Sequence, residues 1–217
     1  MRKIQRLAAI GALAVFTVTM TACASDEEPA TGSAGGASTT TGSAATTTEE
    51  AMGDGMTTAD DVFGSACASV PTSGEGSLDG MVDDPVATAA SNNPLLKTLV
   101  SAVGAAGLGD TLNSQEAITV FAPADPAFAK IPPADLNAVL ADKAQLTTIL
   151  TYHVVPERLD KDGILEARTL TTLEGRTLTV AGSGDAITVN GANVLCGNIP
   201  TANATVFVID TVMMPTG

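Results

Sequence analysis

The apolar residues Leu136, Val139, Leu140, Leu146, Ile149 and Leu150 recur mainly at three- and four-residue spacing, which predicts a helix with one buried face. Val154-Val155 follows, β-branched and broken by Pro156, and reads as a short strand and its exit. The only tyrosine and the only histidine, Tyr152 and His153, stand side by side where that helix hands over to that strand. Upstream, Asp84-Pro85 and Asn93-Pro94 each offer a capping side chain with proline at the first helical position. Leu95, Leu96, Leu99, Val100 and Val103 then mark the buried face of a helix ending near Gly107. Ile118 to Ala122 alternates as a strand running into Pro123, and Asp125-Pro126 opens a helical turn carrying Phe128. After Pro156 the period becomes two. Arg168 to Leu173, Thr177 to Ala181, Ala186 to Val189 and Asn193 to Cys196 read as short strands, and Asn190-Gly191 is the strongest hairpin signal. Ala204 to Asp210 is a last strand, apolar enough to lie inside a sheet. Helices followed by a β-meander predict one α+β domain over residues 62–217.

The first 61 residues have no such pattern. Arg2, Lys3 and Arg6 precede an apolar run from Leu7 to Met20, shorter than the ~20 residues a membrane-spanning helix needs. This reads as an export signal over residues 1–22. It closes on Met20-Thr-Ala-Cys23, which resembles the bacterial lipobox with Met20 where leucine is usual. That resemblance implies lipidation of Cys23 and a membrane anchor; plain secretion with cleavage near Ala24 is the alternative. Residues 23–61 are Ala, Gly, Ser, Thr and acids, too poor in apolar surface to offset their ordering entropy, and read as a disordered stalk. Its run Thr46-Thr47-Thr48 is a candidate for O-linked sugar.

Charge sharpens this division. The chain carries net −14, and the segment from Cys23 to Leu96 holds 12 acids and no base. Without residues 1–22, which carry three bases, the remainder is −17 (−14 − 3). Such a surface repels phosphate backbones, so nucleic acid is not an expected partner.

Little in the chain suggests reactive chemistry. His153 is the only histidine available as a base, and the dinucleotide-binding, P-loop, zinc-protease and EF-hand patterns are absent from the sequence. Asp160 and Asp162 are close in sequence but read as a solvated loop. We expect no catalytic residues, no cofactor and no metal. His153 is expected to be a hydrogen-bonded core residue, with Tyr152 beside it as an apolar body bearing one polar handle. Of the remaining cysteines, an exported protein most simply pairs Cys67 with Cys196; free thiols or metal ligation are the alternatives. The bridge would close a loop of 129 positions (196 − 67), and chain-entropy arithmetic for that size gives about 4 to 5 kcal/mol.

Three stretches carry a family resemblance. Thr119-Val-Phe-Ala-Pro-Ala-Asp-Pro-Ala-Phe128 resembles the first motif of the fasciclin domain, Leu150-Thr-Tyr-His-Val-Val-Pro156 its central Tyr-His motif, and Ala204 to Pro215 its second motif. They occur in family order; Ala124 departs from the usual threonine and removes a hydroxyl from that turn. The whole layout is similar to surface lipoproteins and secreted immunogenic antigens of mycobacteria and related actinobacteria. The resemblance implies a wedge-shaped β-sandwich with helices along one side, and a cell-surface role in adhesion. In animal members the Tyr-His region and nearby Asp-Ile pairs are implicated in integrin binding. That makes Tyr152 and His153 candidate partner-binding residues, although the nearest counterpart of an Asp-Ile pair here, Asp162-Gly163-Ile164, is interrupted by glycine. Two functions follow as expectations. One is a non-catalytic adhesion module, lipid-anchored at the extracellular face of the cell membrane or released from it, that binds an extracellular protein or glycan. The other is an envelope carrier holding a lipid or glycan in an apolar cleft. A large apolar cleft favours the carrier, and a filled core with an exposed apolar patch favours adhesion.

Overall fold

The structure is a computed structural model that describes residues 56–215. The export signal, Cys23, Thr46, Thr47, Thr48 and the stalk as far as residue 55 lie outside the described residues. Within it, helices α1 (Leu78–Met81), α2 (Val86–Asn92), α3 (Lys97–Ala106) and α4 (Gly109–Asn113) precede strand β1 (Ile118–Pro123). Helices α5 (Asp125–Ala129), α6 (Pro133–Ala141) and α7 (Lys143–Tyr152) lead to β2 (Val154–Val155) and α8 (Lys161–Ala167). Strands β3 (Thr169–Thr171), β4 (Thr177–Ser183), β5 (Ala186–Val189), β6 (Ala192–Pro200) and β7 (Ala204–Ile209) follow. The class is α+β.

Alternation along β1 and β7 explains why both are buried on two faces. Ile118, Val120 and Ala122 of β1, with Ala204, Val206 and Val208 of β7, pack into one core beneath the helices. Phe121, Phe207 and Ile209 point the other way into a second core, with Leu178, Val180 and Ile187 from the meander. Phe121 and Phe207 rings sit 5.6 Å apart at its centre. Side chains of this size contribute about 1.5 to 3 kcal/mol each on burial, so a register slip of one residue would exchange two packed faces.

The expected sandwich is realised as one sheet of order β2-β1-β7-β6-β5-β4-β3, in which β1 and β7 are parallel and the other neighbours antiparallel. Register shifts in β6, between Val194, Cys196 and Ile199, interrupt its pairing with β7; such irregularities bend a strand. The second core therefore lies between parts of the same sheet. Helix α8 adds Ile164 to that second core rather than joining the other helices. Asn190 and Gly191, with φ of 48° and 81°, make the tight turn between β5 and β6 that their sequence announced.

Several expectations need correction. The long helix before Tyr152 is two helices, because Asp142 leaves helical geometry and its carboxylate accepts from the N–H groups of Ala144 and Gln145 (3.0 and 3.1 Å). Asp160 and Asp162 are not on a loop: Asp160 caps α8 by accepting from the Gly163 N–H at 2.7 Å, and Asp162 lies in its first turn. Asp84 does not cap α2. The Val86 N–H donates to Asn203 Oδ1 and the Ala87 N–H to Asn113 Oδ1 (2.8 and 2.9 Å). The α3 helix starts at Lys97, after the Asn93-Pro94 signal, and its Thr98 N–H donates to Asp125 Oδ1. Residues 59–61, expected within the stalk, form a 3-10 turn closed by Thr58 and Asp61.

Cys67 is joined to Cys196, which fixes the segment before α1 to β6. Beside the bridge Phe63 pairs with Gly197, and a side chain at Gly197 would collide with the Phe63 and Phe207 rings. Replacing both cysteines by serine is expected to cost about 2 to 5 kcal/mol in urea unfolding, and non-reducing peptide mapping should recover Cys67 and Cys196 in one linked fragment. An unchanged unfolding midpoint, or two alkylatable thiols in the exported protein, would contradict the bridge.

Candidate functional site

The Tyr-His pair is built from the end of α7 inward. His153 follows the last helical residue and is 3% exposed. Its Nε2 accepts from the Met213 N–H at 3.0 Å, so the ring proton sits on Nδ1, which donates to the Ile149 carbonyl at 2.8 Å. The backbone carbonyl of His153 accepts from the Phe121 N–H, tying the same residue to β1. Burial pushes the imidazole pKa down to about 4, against the opposing pull of the Ile149 carbonyl. Tyr152 turns toward the second core. Its hydroxyl accepts from Asn190 Nδ2 at 2.7 Å and donates to the Thr177 carbonyl at 3.4 Å.

These contacts define what the pair can do. Both ring nitrogens of His153 are committed to backbone partners, so the ring is neither a free base nor a surface contact. The expectation that His153 meets a partner directly does not fit this burial. Tyr152 is also buried, but it borders a shallow groove formed with Thr177, Asn190, Gly191, Met213 and Met214.

An apolar cleft was an expectation without a location; it lies on the other side of His153. Its floor is Leu99, Val120, Phe121, Leu150, His153 and Val154, and its volume is about 170 Å³. Its walls come from α2 (Val86, Ala87, Ala90), α3 (Val100, Val103, Gly104) and α4 (Gly109, Leu112). Small side chains on α2 leave the space. Asn203 positions that wall: besides capping α2, its Nδ2 donates to the carbonyls of Leu112 and Gln115 (2.9 and 2.8 Å). One amide thus holds α2, α4 and the loop before β1 together. Exposed large apolar side chains among the described residues are Met56, Val82, Leu173 and Met214, from separate parts of the chain. No group of three or more His, Cys, Asp or Glu among the described residues is placed to hold a metal ion.

Comparison with known proteins places this architecture. The Fasciclin domain family matches residues 94–215. The chain belongs to the fasciclin-domain family. Cell surface glycolipoprotein MPB83 of Mycobacterium bovis is 47% identical over 171 residues, covering 72% of this chain and 74% of that protein. Immunogenic protein MPB70 of the same species is 44% identical over 166 residues, covering 72% and 84%. Transforming growth factor-beta-induced protein ig-h3 of Sus scrofa is 32% identical over 143 residues, which is 62% of this chain and 21% of that one.

In this fasciclin-domain protein the segment before residue 94 supplies Phe63, Cys67 and the α2 wall of the cleft, all outside the family match. Within the match, Ala124 precedes α5 without a side-chain cap, as the missing hydroxyl implies. The Tyr-His motif is the inner joint of the domain.

The depressed His153 pKa fixes a pH dependence. Between about 4 and 6.5 the unfolded imidazole is protonated while the folded one is neutral. Unfolding therefore binds a proton, and stability falls as pH drops through that window, by about 3 kcal/mol in full. Asp210 contributes lower on the scale. Burial works to raise its pKa, but hydrogen bonds from Asn193, Thr211 and Lys130 outweigh it and hold the value at about 2. Its contribution is present above 3.8 and lost as pH falls toward 2. Urea unfolding of His153→Gln should show a lower midpoint at pH 7 and a flatter pH profile between 6.5 and 4.5. A variant with the wild-type profile would exclude the histidine as its source.

Proposed function

We propose that this protein is exported, held at the extracellular face of the cell membrane by lipid on Cys23, and acts without catalysis by binding an extracellular protein or glycan. The observation that carries the non-catalytic part is the complete engagement of His153, whose two ring nitrogens are held by Ile149 and Met213. The pairing of Cys67 with Cys196 likewise occupies both thiols of the folded segment. The surface location draws support from relatives described as a cell surface glycolipoprotein and an immunogenic protein. The lipobox-like Met20 to Cys23 and the threonines Thr46, Thr47 and Thr48 offer the matching attachment points for lipid and sugar. Residues 1–22 are then the signal, 23–61 the stalk and 62–217 the binding domain, and release from the anchor gives a soluble form.

The cleft favours a second reading, that of a carrier for an apolar ligand. Its size sets the limit. A cavity of about 150 Å³ takes up one benzene, so this one of about 170 Å³ holds roughly six carbons. Burying six carbons yields about 5 kcal/mol before the costs of binding, at ~0.8 kcal/mol per methylene. A lipid acyl chain with twice as many carbons is held correspondingly more firmly by a bilayer. The cleft alone cannot draw such a lipid from a membrane.

The surface reading is tested by detergent-phase partitioning and surface biotinylation in the native host. Wild-type protein is expected in the detergent phase and labelled on intact cells, whereas Cys23→Ser should appear in the aqueous phase or the medium. Beads coated with the mature protein are expected to bind saturably to extracellular matrix or to isolated envelope. Full-length protein in the cytosol with residues 1–22 intact, or beads that bind neither surface, would refute the proposal.

A further inference from the structure

We propose that the cleft among α2, α3, α4 and β1 is a binding site for a compact, uncharged hydrocarbon group of about six carbons, such as a small aromatic or branched alkyl ligand. This rests on the carrier reading and narrows it by excluding both a glycan and a whole membrane lipid.

The lining chemistry carries the first step. Apart from His153 and Ser91, the cleft is walled by aliphatic side chains, glycine and the β1 backbone at Phe121, whose ring lies in the second core. His153 offers nothing to a ligand, because Ile149 and Met213 take both ring nitrogens. The Ser91 hydroxyl donates to the Ala87 carbonyl at 2.8 Å, within its own helix. No charged side chain lines the cleft. A sugar entering it would surrender its water hydrogen bonds for, at most, one donation to the Ser91 hydroxyl at the rim, whereas an apolar group loses nothing.

Two glycines carry the second step. Gly104 lies inside α3, one turn beyond Val100 on the cleft face, and Gly109 opens α4. A Cβ built at either meets no atom within 4 Å. Glycine inside a helix is less stable than alanine, so packing alone gives no reason for Gly104. Its effect is to leave the wall low between Val103 and the start of α4. Buried Val120 and Phe121 form the floor while Ser91 and Gly104 are exposed, so the space communicates with solvent past these two residues.

The test is a benzene titration of the mature protein purified from its host, followed through the methyl resonances of Val, Leu, Ile and Met. Saturable shifts are expected at Val100, Val103 and Leu112, with none at Met213 and Met214 in the groove beside Tyr152. Gly104→Phe should weaken benzene binding at least tenfold, and Ala90→Leu gives a second way to fill the cleft should Gly104→Phe fail to fold. Thr88→Phe, on the exposed side of α2, should leave binding unchanged. Absence of saturable shifts, shifts confined to the Tyr152 groove, or wild-type affinity in the folded filled variants would overturn the site. Native mass spectrometry of the same preparation separates the two claims. A co-purified ligand that benzene does not displace sustains the carrier reading and overturns this site; benzene binding with no natural ligand sustains the site and counts against the carrier.

Discussion

One neutral imidazole joins the parts on which the rest of this domain depends. His153 links the last turn of α7 through Ile149 to the chain after β7 through Met213, while its carbonyl holds the Phe121 N–H of β1. A charged ring cannot make this set of bonds, because Nε2 must accept a proton that a charged ring already carries. Desolvation favours the neutral ring, and hydrogen-bond geometry selects its Nδ1–H tautomer. The consequence for function is direct: the group best suited to acid–base chemistry is fixed as a structural tie. The same ring forms part of the cleft floor, so the joint that fixes the fold also gives the cavity its shape.

What the sequence revealed was chemistry that acts locally. The β1 and β7 strands were legible because alternating apolar residues have one way to be buried on two faces. The Asn190-Gly191 turn was legible because its two left-handed residues suit a tight hairpin. Helices followed by a β-meander supplied the expected class, resemblance of three motifs to the fasciclin domain supplied the expected sandwich, and the structure joins that sandwich into one sheet. The failures share a cause. Asp142 and Asp160 are cap residues whose short side chains interrupt or start helices, and an apolar-period reading passes over them. Asn203 and Asn113 cap α2 from 117 and 26 residues away, a pairing that no local rule can supply. The location of the cleft was illegible for a related reason: the space is defined by side chains that are small, and Ala87, Ala90 and Gly104 announce nothing when read one at a time.

The two proposed modes of binding differ in scale and share one acidic domain. The first is the proposed outer surface, where negative charge and family membership point to extracellular encounters. The second is a six-carbon apolar space, too small to extract a membrane lipid and too poor in polar groups to hold a sugar. The segment before the family match serves both, since it brings the disulfide to β6 and the α2 wall to the cleft. A fasciclin domain without that segment would lose its covalent tie and one side of the cavity together.

Nitrogen-15 NMR of the imidazole tests the central claim most directly, because the chain has a single histidine and its ring signals need no assignment. A proton fixed on Nδ1 at neutral pH, with a titration midpoint near 4, is the predicted result. A midpoint near 6.5, with the proton exchanging between the two nitrogens, would show a ring free of Ile149 and Met213 and would contradict the account.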